Sequence, residues 1–221
     1  MPAIDHAAVR SSSAVLLRVV LALALVIGVA PAASIFCLGD SLTAGFGLTE
    51  AEAWPALVEA RARGEGRDWT LINGGVSGDT TASGLRRLKW ALRAKPDLVV
   101  VALGANDGLR GIEPATTKAN LAAIIDRARA AGATVALAGM RLPTNFGEDR
   151  RAAFAAVYSE LAHEKQVPLL PCLLEGVGGV TELNQADGIH PTAAGQRTLA
   201  ATMHAFLVRH LSASATPAVT P

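Results

Sequence analysis

From position 34 onward the chain alternates between two kinds of hydrophobic pattern. Short continuous apolar runs of strand length occupy 34–38, 70–73, 98–103, 134–139 and 167–171. Longer stretches at 50–63, 80–94, 114–131, 149–165 and 191–211 are amphipathic and of helix length. In the last of them Leu199, Met203, Phe206, Leu207 and His210 recur at three- and four-residue steps and form one core-facing stripe, with Pro191 suited to the first helical position. Strands alternating with helices predict a parallel sheet covered on both faces, an α/β three-layer sandwich of five strands joined by right-handed crossovers. The run "LVVVAL", β-branched and continuously apolar, belongs in mid-sheet. In such a fold, ligands collect beyond the carboxyl ends of the strands.

The first 33 positions follow a different pattern. Arg10 and Arg18 precede "VVLALALVIGVA", which leads into "APAAS". This reads as a secretory signal over 1–32, with Ala30 and Ala32 in A-x-A spacing before the cut. The apolar core falls short of the roughly 20 residues of a comfortable membrane span, so no stable span is expected after cleavage. A retained N-terminal anchor is the alternative, because 14–17 extend the apolar stretch. The expected layout is a signal at 1–32, a catalytic-size domain at 33–211 and a small, polar, disordered tail at 212–221. Export places the chain in the periplasm or outside the cell. Even so, Cys37 and Cys172 each lie in an apolar run and read as buried free thiols.

The totals narrow the partners. With 221 residues, 51% hydrophobic, 18% charged and a net charge of +1, neither disorder nor a nucleic-acid partner is suggested. The basic stretch "LRRLKWALRAK" reads as a solvated helix face. There is no H-E-x-x-H and no paired C-x-x-C, so no metal or other cofactor is expected. The first turn lacks the G-x-G-x-x-G of a dinucleotide site.

The polar motifs fall at one sheet edge. "GDSLTAGFG" follows the first strand, "NGGVSGDT" the second and "GAND" the third, and "DGIHP" precedes the final helix. By itself, G-D-S is as readily a turn and helix cap as a nucleophile, and Asp40, too near Ser41 to orient a distant imidazole, reads as turn support. His190 stands apart from the helical His163, His204 and His210. It lies three residues after Asp187, whose carboxylate can reach Nδ1 and leave Nε2 to face a hydroxyl; Asp187 as a cap with His190 as packing is the alternative. The Ser41 N–H, the Gly78 N–H and the Asn106 amide are candidate donors to an oxyanion. Each also has an ordinary explanation: Asp79 with Thr80 and Thr81 starts a helix, and Asn106-Asp107-Gly108 makes a turn. Together at one edge they point to acyl-transfer chemistry. The loops after strands three and four carry Leu109, Ile112, Leu142, Pro143 and Phe146, which either line an acyl groove or pack against the domain.

In this order, the four motifs resemble the sequence blocks of the SGNH or GDSL hydrolases. The similarity runs from about 35 to 211 and includes "AWPALVE", "NDGLRGI", "RLPTNFG" and "VPLLP". Within the family it points to the bacterial thioesterase I, lysophospholipase L1 and arylesterase group. The resemblance implies Ser41 as nucleophile, His190 as base, Asp187 as its orienter, and Ser41, Gly78 and Asn106 as oxyanion donors. It further implies a flavodoxin-like sheet order 2-1-3-4-5, which separates the strands bearing Cys37 and Cys172. The implied activity is a serine esterase acting through an acyl-enzyme on small-molecule carboxylic esters and thioesters, acyl or aryl, lysophospholipids included. The protein is expected to be a monomer. One departure is Ala105, where relatives often carry glycine. An esterase for O-acetylated carbohydrate and a non-catalytic envelope binding module are the alternative functions.

Overall fold

Five parallel strands occupy the middle of the computed structural model, which describes residues 32–213. The strands β1 (Ala33–Gly39), β2 (Trp69–Gly75), β3 (Leu98–Ala102), β4 (Thr134–Ala138) and β5 (Leu169–Leu170) are hydrogen-bonded in the order β2-β1-β3-β4-β5. The order arises because β1 and β3 pair directly, Cys37 opposite Val100, while β2 sits on the outer side of β1. Around the sheet lie α1 (Ser41–Ala44), α2 (Trp54–Gly64), α3 (Thr81–Ala91), α4 (Ala105–Leu109), α5 (Pro114–Ala130), α6 (Glu148–Lys165) and α7 (Ala193–Ala213). Helix α2 packs with α7, and α3, α5 and α6 pack in succession, giving the two helical layers. Every residue of β3 is buried, as its unbroken apolar run requires of a strand covered on both faces. Cys37 and Cys172 are free and buried, the first in β1 and the second just past β5 at the far edge.

The helix expected over 80–94 ends at Ala91 and gives way to a 3-10 turn at Leu92–Ala94, and three other elements differ from the sequence expectation, each for a local reason. The helix expected over 50–63 splits into a 3-10 turn at Glu50–Glu52 and α2, with an extended Ala53 between them. Pro55 lacks an N–H and fits only the first turn of a helix, so the chain must restart there. The strand expected over 167–171 is only Leu169–Leu170, since the Val167 N–H donates to the Ala162 carbonyl in closing α6 and Pro168 has no N–H to offer. The last helix begins at Ala193, not at Pro191, which forms a bridge with Asn184. Thr192 Oγ1 accepts from the Gly195 N–H and so caps the first turn in its place. At the other end α7 runs to Ala213, two residues into the tail expected to be disordered. The leader expected over 1–32 lies, but for Ala32, outside the described residues, as does the tail beyond Ala213.

Candidate active site

The end of β1 turns sharply into α1. Asp40 caps that helix through Oδ1, which accepts the Leu42 N–H at 3.0 Å. Gly39 is required by contact: a Cβ there would lie 2.0 Å from Thr43 Oγ1. This geometry leaves Ser41 at the first helical position, buried but lining a cleft. Asp40 is fully buried, and burial pushes its carboxyl up to about 6 even though the Leu42 N–H and His190 favour its charged form.

The loop ahead of α7 brings an imidazole to Ser41. The Gln185 N–H donates to the His190 carbonyl at 2.7 Å, closing the loop on itself. Within it Asp187 Oδ1 accepts the Ile189 and His190 amides at 2.9 and 3.0 Å, and Oδ2 meets His190 Nδ1 at 2.6 Å. These donors, the His190 amide foremost, lower the Asp187 carboxyl to about 2. The carboxylate therefore stays charged and fixes the Nδ1–H tautomer, which makes Nε2 an acceptor. Nε2 stands 2.9 Å from Ser41 Oγ, across 149 positions of sequence. The Phe46 ring lies beside the imidazole, centroids 4.4 Å apart, and supports its orientation.

The third strand ends in a turn that only glycine accommodates. Gly104 has φ of 120°, and a Cβ there would meet the Tyr158 hydroxyl at 2.0 Å. The turn starts α4 and aims Asn106, whose Nδ2 donates to the Asp79 carbonyl at 3.0 Å and lies 3.5 Å from Asp40 Oδ2. The next residue, Asp107, is fully buried and anchors α4 by accepting the Thr81 N–H at 2.8 Å, along with the Thr81 and Thr117 hydroxyls. Asn106 is thus bonded to the residue after Gly78 and in contact with the residue before Ser41. Among the described residues neither the Ser41 nor the Gly78 amide donates to a protein acceptor, so both stay available to a ligand. A hydroxyl beside an imidazole acceptor, an imidazole held by a carboxylate, and adjacent free donors can together add an oxygen nucleophile to a carbonyl and hold the resulting negative charge.

A cleft of about 520 Å³ opens from Ser41, Asn106 and His190. Of the loop residues expected to line it, Leu109, Leu142 and Pro143 do so, and Ile112 and Phe146 do not. The Ile112 N–H turns back to the Asp107 carbonyl, and Phe146 sits in a 3-10 turn packed on the core. Gly78 likewise lies outside the lining, one residue from the Asn106 contact. Sequence reasoning missed the other wall, built by Cys172, Leu174, Gly176 and Ile189, with Arg141 and Glu175 paired at 2.8 Å along it. The available signal was the apolar, glycine-rich run "CLLEGVGG" following the fifth strand at the same edge.

The sequence matches the model of the GDSL-like Lipase/Acylhydrolase family over residues 37–198. It is 46% identical over 187 residues to Esterase TesA of Pseudomonas aeruginosa, covering 84% of this chain and 93% of that one. It is 41% identical over 172 residues to Thioesterase 1/protease 1/lysophospholipase L1 of Escherichia coli K12, covering 77% of this chain and 81% of the relative. Among solved structures, the psychrotrophic esterase EstA from Pseudoalteromonas sp., inhibited by monoethylphosphonate, superposes with a TM-score of 0.78 at 32% identity, covering 81% of this chain and 98% of that one.

Proposed function

The chain belongs to the GDSL-like lipase/acylhydrolase family and is a carboxylic ester hydrolase, and from that premise we propose that it works through an acyl-enzyme on Ser41. The observation carrying this reading is the unbroken contact chain from Asp187 Oδ2 to His190 Nδ1 and from His190 Nε2 to Ser41 Oγ, at 2.6 and 2.9 Å. Ser41 Oγ attacks the carbonyl carbon as its proton passes to Nε2, and the Asp187 carboxylate stabilises the imidazolium so formed. The Ser41 and Gly78 amides and the Asn106 side chain receive the oxyanion. As the tetrahedral adduct collapses, the bond to the leaving oxygen or sulfur breaks and Nε2 returns its proton to that atom. Water then attacks the acyl-enzyme by the same route and releases the acid.

The proposed substrate range covers acyl and aryl esters, thioesters and lysophospholipids. It is supported by the names of the relatives and by a cleft whose walls are mostly apolar, with Arg141, Glu175, Thr144, Arg151 and Asn184 as polar positions, and whose volume suits one acyl or aryl group. A binding module would not need the Ser41 to His190 contact. We further propose an exported monomer. The basic and apolar leader supports export, and β1 begins at Ala33, so cleavage after Ala32 leaves the sheet whole. No helix among the described residues is long and apolar enough to cross a membrane.

A fluorophosphonate probe is expected to label Ser41 stoichiometrically and to abolish hydrolysis of a nitrophenyl ester. Ser41→Ala should leave the folded protein without turnover, and near-normal turnover in that variant would refute the assignment.

A further inference from the structure

Beyond the Ser41–His190–Asp187 chain, several contacts converge on one guanidinium and one aspartate. Arg87 of α3 donates from Nε to Asp79 Oδ2 at 2.5 Å and from Nη2 to the Gly39 carbonyl at 2.7 Å. Both side chains are largely buried, 19% and 13% exposed. The Gly39 carbonyl also accepts the Val76 N–H at 3.1 Å, so its two lone pairs tie the end of β1 to the loop after β2 and to α3. The backbone carbonyl of Asp79 in turn accepts Asn106 Nδ2 at 3.0 Å. Gly39 lies two residues before Ser41, and Asp79 directly follows Gly78. Arg87 and Asp79 therefore join the three segments that carry the proposed oxyanion donors.

We propose that Arg87 is a positioning residue which, through Asp79, sets the spacing of the Ser41 amide, the Gly78 amide and the Asn106 side chain. The proposal rests on the donor assignment of the preceding section. A guanidinium presents its N–H groups in a rigid planar fork, so one residue holds two acceptors at a fixed separation, which a lysine ammonium on a flexible stem does not. The Gly78 loop has few other ties: the Asp79 N–H to the Val76 carbonyl at 3.0 Å, and exposed Arg110 to the Gly78 carbonyl at 2.9 Å. Asn106 is similarly poised. One amide hydrogen is committed to Asp79, and the 3.5 Å contact with Asp40 lies at the outer limit of a hydrogen bond, so the other is easily released to an oxyanion.

Such spacing matters only once negative charge develops. The donors engage the tetrahedral adduct more strongly than the ground-state carbonyl, so misplacing them lowers kcat and leaves KM nearly unchanged. A purely structural ion pair behaves otherwise: its removal lowers stability and the fraction of folded enzyme, while each folded molecule keeps its turnover.

The experiment measures kcat and KM of Arg87→Met and Arg87→Lys on a nitrophenyl ester, with active sites counted by exhaustive fluorophosphonate labelling. The Met variant is expected to lose at least about tenfold in kcat per labelled site with KM within about twofold, since displacements near 1 Å at a reacting centre cost up to about 10²-fold. The Lys variant, holding one acceptor, should fall between it and the wild type. A kcat per labelled site unchanged within about twofold in Arg87→Met, or a loss carried by KM, overturns the proposal. Should Arg87→Met fail to fold, Asp79→Asn serves in its place, because it weakens the guanidinium contact and keeps the backbone carbonyl. It is expected to lose at least about threefold in kcat, and an unchanged kcat overturns the proposal equally. Failure of Ser41 to label in the wild type would instead bring down the donor assignment itself, so the two failures are distinct.

Discussion

Asp40 does more than support a turn. Adjacent to Ser41 it is also fully buried, with one oxygen on the Leu42 amide and the other 3.5 Å from Asn106. Burial raises its carboxyl to about 6, above the ordinary value of about 3.9. The folded state therefore binds this proton more tightly than the unfolded one, and its contribution to stability is full below about pH 4 and declines as pH rises to about 6. A two-unit shift corresponds to roughly 2–3 kcal/mol. Urea unfolding at pH 4 and 7 should show the wild type losing stability relative to Asp40→Asn as pH rises, because the neutral amide has no proton to lose while the remaining groups titrate alike in both. Equal pH slopes in the two proteins would contradict the assignment. From sequence, Asp40 is legible as a cap because Asx side chains reach the backbone two residues on. Its burial is not, because that depends on the Asn106 loop closing over it from 66 positions away. The contact between Asp187 and His190 is legible for the same reason as the cap, since a short motif encodes local geometry, whereas the approach of His190 to Ser41 depends on the fold. Ile112 and Phe146 lie off the cleft lining, because apolarity in a loop does not say which way the loop folds back.

At the scale of elements, periodicity located all five strands and their order of appearance, and errors gathered where one residue breaks a pattern. Pro55 split a helix, Pro168 shortened β5, and the Asn184–Pro191 bridge delayed α7. The sharpest turn in the site, between β3 and α4, offers a test. At Gly104 a methyl group would face a left-handed φ and the Tyr158 hydroxyl, which is itself hydrogen-bonded to the Leu103 carbonyl at 2.9 Å. Gly104→Ala is expected to destabilise the fold by about 2–4 kcal/mol, combining backbone strain and overpacking. Adding Tyr158→Phe, which removes the clashing oxygen, should recover the steric part and not the dihedral part. Chemical denaturation of the single and double variants separates the two, and no recovery in the double would mean that strain alone accounts for the loss.

Across the whole molecule the sheet separates the two thiols. Cys37 is 0% exposed in β1, where burial raises its pKa strongly, and β3 and β4 stand between it and the strand preceding Cys172. The melting temperature should be the same with and without a reductant. Neither thiol should react with Ellman's reagent on mixing, and both should react in urea; rapid native reaction of Cys172, which borders the cleft at 6% exposure, would show that its loop opens.

Helix α7 also reaches across the fold: Gln196 accepts the Trp54 N–H at 2.9 Å and donates to the Leu42 carbonyl at 3.1 Å, tying the last helix to the one that begins with Ser41. Combined with the 149-residue gap between Ser41 and His190, this gives the protein a built-in order of events during synthesis. The proposed nucleophile leaves the ribosome early and waits for its base, and the helix that braces it, until almost the whole chain has followed. On the proposed assignment, a chain still lacking the His190 loop and α7 holds Ser41 with neither its base nor the Gln196 brace, so competence follows the arrival of those late segments.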